Sequence, residues 1–284
     1  MRKKTFFAGI YVFATLAGAA SPGIARQVRY GTGSWNAESL GNHRAVLGVT
    51  QKGDAVLAHI EWRRRDTEPE KKNIIVIEAA TGRKITNVMR INVNRSYGDI
   101  VFQAENPGTY YVYYLPYTSQ GRNYPKVVYQ PPEDMADAAW KKAATEWMSR
   151  PGAQPLLANL VEIQSVDEFN SFYPMEVIAT PEEVGKLVAS RANKPFLLFP
   201  EDRSNPIRMT EGLPQKWVLE EQKQEFAGNA DRGEFYAFQI GLFASTADIE
   251  DIAVRFSNLR TNDGSHSIPS SAMRCINTGG VNWD

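Results

Sequence analysis

Two carboxyl groups held a set distance apart can act as acid and base on a glycosidic bond, so adjacent acids are weighed first. The chain offers Asp167-Glu168, Glu182-Glu183, Glu220-Glu221 and Glu250-Asp251. The first two sit where helices are predicted to begin, and acids in a first turn serve the helix dipole. Asp248, Glu250 and Asp251 fall in a loop and read as solvent-facing. Nucleophilic chemistry finds even less support. Gly31-Thr32-Gly33-Ser34-Trp35 lacks the Gly-x-Ser-x-Gly spacing and a preceding strand. His43, His59 and His266 lie in separate strands or loops, and Cys275 reads as a small buried residue. No catalytic, cofactor or metal residue is therefore expected.

Aromatic residues are the remaining chemistry: 6 Trp, 12 Tyr and 13 Phe. Trp and Tyr rings can stack on the apolar faces of sugars. Trp35, Trp62, Tyr97 and Tyr117 stand near turns or strand ends and are the candidates for carbohydrate stacking. Tyr110 to Tyr114 and Phe235 to Phe243 have aliphatic neighbours at strand spacing and are expected in the core or an interface.

The elements that must position these residues are mostly strands. Residues 45–49, 55–62, 73–79, 99–103 and 110–115 are rich in Val, Ile, Tyr and Phe, and turn formers separate them. Short strands with no intervening helix predict an N-terminal antiparallel β-sandwich over residues 28–130. Pro131-Pro132 closes it. A helical connector is predicted for 131–210, with a helix carrying Met135, Ala139, Trp140, Ala143, Trp147 and Met148 as its apolar stripe. Two further helix starts have capping-box form, Ser165-Val166-Asp167-Glu168 and Thr180-Pro181-Glu182-Glu183. From 211 to 284 a second β-sandwich-like domain is predicted. Its strands are Trp217–Leu219, Glu234–Ala244 and Ile252–Phe256, with a hairpin turn at Asn262-Asp263-Gly264-Ser265. The text after Gly279 reads as a domain boundary. A mainly β chain with helices only in its middle excludes an alternating (β/α)₈ barrel.

Composition narrows the partners. Lys+Arg and Asp+Glu are 32 each, and a nucleic-acid binder would show a basic excess. One cysteine allows no internal disulfide. Arg2, Lys3 and Lys4 precede an apolar run from Phe6 to Ala17 and then small residues, which predicts a signal peptide over 1–25. A spanning helix would need about 20 apolar residues. The expected location is periplasmic or extracellular, with no membrane association after cleavage.

Several runs resemble a known family. Gly233-Glu234-Phe235-Tyr236-Ala237-Phe238-Gln239-Ile240-Gly241-Leu242-Phe243-Ala244 is followed by Val254-Arg255-Phe256-Ser257-Asn258-Leu259. After it come Ile268-Pro269-Ser270-Ser271 and Cys275-Ile276-Asn277-Thr278-Gly279-Gly280. With residues 173–180 and 194–203, these resemble the region just before the catalytic barrel in secreted bacterial proteins of the glycoside hydrolase family 123 kind. The resemblance spans about 28 to 284 and is strongest toward the C-terminal end. It implies a parent similar to β-N-acetylgalactosaminidases that use an Asp–Glu pair and the substrate's acetamido group. That pair belongs to the barrel, and Asp167-Glu168 matches its letters without its place. The expectation is a non-catalytic β-sandwich region supporting a carbohydrate-active barrel, the barrel being its partner. The alternatives are an independent carbohydrate-binding module and a self-contained glycoside hydrolase.

Overall fold

The computed structural model describes residues 28–209, 211–220 and 225–276. The predicted signal peptide lies outside them, as do Glu221 and residues 277–284. In chain order the strands are β1 (Arg29–Thr32), β2 (His43–Val49), β3 (Gly53–Ile60), β4 (Ile74–Glu78), β5 (Lys84–Ile85), β6 (Val88–Val93), β7 (Gly98–Ala104), β8 (Gly108–Tyr114), β9 (Tyr117–Gln120) and β10 (Lys126–Tyr129). There follow α1 (Ala138–Met148), β11 (Leu156–Ser165), α2 (Pro181–Ser190), β12 (Phe196–Asp202), α3 (Gln215–Leu219), β13 (Phe238–Ala244), β14 (Leu259–Arg260) and β15 (Ser267–Ile268). The molecule is mainly β.

Nine strands form one nearly closed sheet in the order β5-β4-β8-β2-β11-β3-β7-β6, with β1 beside β11. Strand β11 joins the two halves. Its first residues, Leu156–Ala158, run parallel to β3, and Asn159–Ser165 run antiparallel to β2. Where β11 leaves β3, β1 takes the free side of Glu162–Ser165. Side chains alternate across each strand, so one face of each half turns inward. Leu47, Val56, Ile60, Ile100, Phe102, Tyr110 and Val112 are fully buried there in a common core. The run Tyr110–Tyr114 is a central strand between β2 and β4, as its double-sided apolar pattern predicts.

The region after residue 130 departs from expectation. Strand β11 falls inside the predicted connector yet is internal to the first sheet. Ser165 is accordingly the buried end of a strand, not a helix cap. Val166 N–H donates to Asn42 O, and the Asp167 carboxylate caps a turn at Asn170. The letters Ser-x-x-Glu suit that turn as well as a helix, and sheet pairing decides between them. The other capping box is formed: Thr180 Oγ1 accepts from Glu183 N–H, and the Glu183 carboxylate accepts from Thr180 N–H. In α1 the cap is Asp137, so Glu133, Asp134 and Met135 lie ahead of the helix. Its Trp140 packs on the outer face of the sheet beside Val101, and Trp140 Nε1–H donates to Asp54 O.

Residues 211–276 do not build a second sandwich among the described residues. Strand β13 pairs with β12, which comes from the predicted connector, and β14–β15 is a separate short hairpin at Asn262–Ser265. Trp217–Leu219 is helical because Pro214 starts α3, which turns Trp217 into a small core. That core holds Met175, Leu197, Phe199, Leu213 and Trp217. Ile252–Phe256 adopts no strand and stays exposed. Among the ties that hold this lobe to the sheet, Ile178 N–H donates to Arg63 O, and Arg63 forks onto Glu183 at 2.7 Å.

Candidate functional site

A cleft of about 310 Å³ opens where the start of β2, the loop after β3, the β9–β10 hairpin and the loop after β11 meet. One side is an amide ladder. The Tyr117 hydroxyl donates to Asn42 Oδ1 at 2.9 Å, Asn42 Nδ2 donates to Asn170 Oδ1 at 2.8 Å, and Asn170 Nδ2 donates to Asp167. The other side carries guanidinium groups. Arg64 pairs with Asp66 at 3.0 Å and lies 4.2 Å over the Phe172 ring. Arg65 pairs with Glu176 at 3.1 Å, and Arg208 approaches the same carboxylate at 3.7 Å. Tyr129 and the 91 % exposed Phe169 form the rim.

Three groups in this cleft, His43, Asp66 and Tyr129, are displaced from their ordinary values. Burial, reinforced by Arg64, pushes the His43 imidazole down to about 3. Its Nε2 faces the Asn170 carbonyl at 2.8 Å, so Nε2 carries the proton of a neutral ring. Burial opposes ionisation of Asp66, but Arg64 and Lys72 hold its carboxyl below the usual range. Burial raises the Tyr129 phenol. A neutral histidine with so low a pKa is a poor base, and an ionised, paired aspartate is no acid. Aromatic faces, amides and forked donors in a cleft of this size instead suit the binding of a polyhydroxylated ligand.

A second cavity, about 270 Å³, lies in the smaller lobe and holds a further adjacent acid pair, Glu201 and Asp202, not among those weighed above. Glu201 is 4 % exposed and accepts from Lys216 Nζ, from Trp217 Nε1–H at 2.8 Å and from Asn205 Nδ2. Asp202 accepts from the Tyr236 hydroxyl at 2.6 Å and from Ser204 N–H, which hold it at about 2. Both carboxylates are already spent on protein donors. The pairs named from sequence are engaged or scattered too. Glu182 pairs with Lys186, Glu183 with Arg63, and Glu220 with Lys216. Glu250 and Asp251 face solvent.

The four stacking candidates do not come together, and only Tyr117 lines the cleft. Trp62 is 2 % exposed, stacks on Tyr114 at 5.1 Å and donates from Nε1 to Asn94 O, so no sugar can reach it. Trp35 donates to Gly41 O and has the Arg44 guanidinium 4.4 Å from its ring. Tyr97 is 4.9 Å from the His59 ring. His59 itself sits between Glu61 and Asp99, which raise it to about 9, while Glu61 is lowered to about 2. The expected burial of Cys275 fails, whereas the Phe235–Phe243 run, expected in the core or an interface, is only partly buried. Cys275 is exposed, because little packs over the segment after β15. Phe235 is wholly exposed and Phe238, Ile240 and Leu242 face outward, because β13 has a packed layer on one side only.

Residues 33–166 match the family model of the glycoside hydrolase 123 N-terminal domain. The match ends one residue after β11, so it spans the nine-stranded sheet except for β1. It covers the part where the sequence resemblance is vaguer and leaves out the C-terminal runs that carry it. No curated protein and no solved structure matches the chain.

Proposed function

With residues 33–166 carrying the glycoside hydrolase 123 N-terminal domain match, we propose that this chain is the non-catalytic N-terminal region of an exported family-123-like protein. Its role is to hold a carbohydrate-active barrel. The observation that carries this reading is the outer face of the β12–β13 pair. In register across it lie Phe196 with Ala244, Leu198 with Leu242, and Pro200 with Ile240. Phe196, Leu198, Ile240 and Leu242 are each between 38 % and 54 % exposed. Soluble monomers rarely present so continuous an apolar face, and permanent interfaces resemble a domain core cut in half. The barrel completes this lobe as a second β-layered domain. The basic and apolar residues from Arg2 to Ala17 direct export.

The test mixes the purified chain with a separately produced catalytic barrel of a family-123 glycosidase. The two are expected to co-elute on gel filtration, and the double variant Leu198→Glu, Leu242→Glu is expected to abolish co-elution while the chain stays folded. The chain alone is expected to leave an aryl β-N-acetylhexosaminide intact. Hydrolysis by the chain alone would defeat the reading.

A second reading rests on the cleft: a carbohydrate-binding function with Tyr117 as its stacking ring. On a glycan array Tyr117→Ala is expected to weaken binding by about 1 kcal/mol, or roughly fivefold. Trp35→Ala and Tyr97→Ala are expected to leave it unchanged, since neither ring lines the cleft. Equal losses in all three variants would exclude the cleft as the site.

A further inference from the structure

Four residues lining one small cavity each carry a buried side-chain polar atom with no hydrogen-bond partner among the described residues: Arg64 Nη1, Asn73 Nδ2, Arg95 Nε and Tyr114 Oη. They come from both halves of the sheet. Arg64 follows β3 and Arg95 follows β6, whereas Asn73 precedes β4 and Tyr114 ends β8. Tyr114 and Asn73 are 2 % and 3 % exposed. The cavity measures about 10 Å³, room for a single water-sized atom.

The chemistry of these atoms is one-sided. Asn73 Oδ1 already accepts from Ile74 N–H and Glu133 N–H, so the end facing the cavity is the NH₂ group. Arg64 spends Nε on Asp66, and Arg95 spends Nη2 on Glu211 O, leaving Nη1 of the one and Nε of the other to donate. The Tyr114 hydroxyl can donate as well. Every member is thus able to donate, and three can do nothing else. A water would also have to place two protons of its own, for which the lining side chains offer only the Asp66 carboxylate and the Tyr114 oxygen. Charge points the same way. Arg95 makes no ion pair among the described residues, and the charge of Asp66, also at the cavity, is matched by Arg64 and by nearby Lys72.

We propose that this cavity is a binding site for a single halide ion, which ties the two halves of the sheet together beside the cleft. Chloride offers lone pairs in every direction and no proton. The space admits one atom and therefore excludes phosphate, sulfate and carboxylates.

Crystals grown in bromide test this directly. Anomalous scattering is expected to place bromide within hydrogen-bonding reach of Arg64 Nη1 and Arg95 Nε. In solution the full chain is expected to melt several degrees higher in chloride or bromide than in gluconate of equal ionic strength. Asn73→Asp supplies a carboxylate in place of the ion, so this variant is expected to lose the halide dependence while remaining folded. A site holding an ordered water with no anomalous signal, or equal melting in halide and gluconate, would overturn the assignment.

Discussion

Trp62→Ala is expected to lower unfolding free energy by about 3–5 kcal/mol, the range for deleting a buried Trp side chain. The ring is almost wholly buried, stacks on Tyr114 and donates to Asn94 O. Its seat is Gly98 at the start of β7. A Cβ on that residue would lie 2.1 Å from Trp62 Cη2, far inside van der Waals contact. Gly98→Ala therefore forces either the rigid indole or strand β7 to move, and its cost exceeds the about 1–3 kcal/mol usual for overpacking. The two substitutions should be strongly coupled. Once the ring is gone the added methyl has room, so Gly98→Ala should cost little in a Trp62→Ala background. Denaturant unfolding of the two single variants and the double variant measures this. Additive losses would show that the ring and the glycine do not share one space. Trp217 and Gly241 repeat the arrangement in the smaller lobe, at 2.3 Å.

Acid is expected to begin destabilising the protein above the pH at which its carboxylates titrate, through His43. An unfolded histidine titrates near 6.5, whereas the folded imidazole is held at about 3. Between these values the unfolded chain binds a proton that the folded chain refuses, so stability falls as pH drops from 6.5 toward 3. At ~1.4 kcal/mol per unit, the loss reaches about 3 kcal/mol near pH 4. Other shifted groups act in different windows. His59 is raised to about 9, so its contribution is whole below 6.5 and is lost as pH rises through 9. It is half exposed and therefore small. Glu61 is lowered to about 2, so its contribution is whole above 4.5 and is lost below that. From pH 6.5 down to 4.5 the slope belongs chiefly to His43. Arg64 discourages its protonation there, while Asp66 and Asp167 favour it. His43→Gln keeps a donor for Asn170 O and cannot take up a proton. The variant is expected to flatten the stability–pH curve in that window, and an unchanged slope would assign the acid lability elsewhere.

The cleft was only partly legible in the sequence. Tyr117 was visible as an aromatic residue near a strand end, but Asn42, Arg64, Arg65, Asp66 and Asn170 carry no motif. They meet because β11 lies next to β2, bringing the loop after residue 165 against the start of β2. A pairing across more than a hundred residues leaves no local periodicity to detect. The same limit explains Trp62, which resembles an exposed ring until Gly98 and Tyr114 close around it.

Local patterns did determine β2, β3, β4, β7 and β8, though not β5 or β6, together with the Thr180 cap and the Asn262–Ser265 hairpin. Each depends on the chemistry of a few neighbouring residues, namely side-chain alternation, left-handed turn positions and reciprocal capping. The tertiary structure alone decided that Leu156–Ser165 is an inner strand, that Trp217 is helical, and that the face of β13 opposite the packed lobe is left bare. Those outcomes depend on which distant surface each segment meets, and burial against a remote partner is not encoded by adjacent residues.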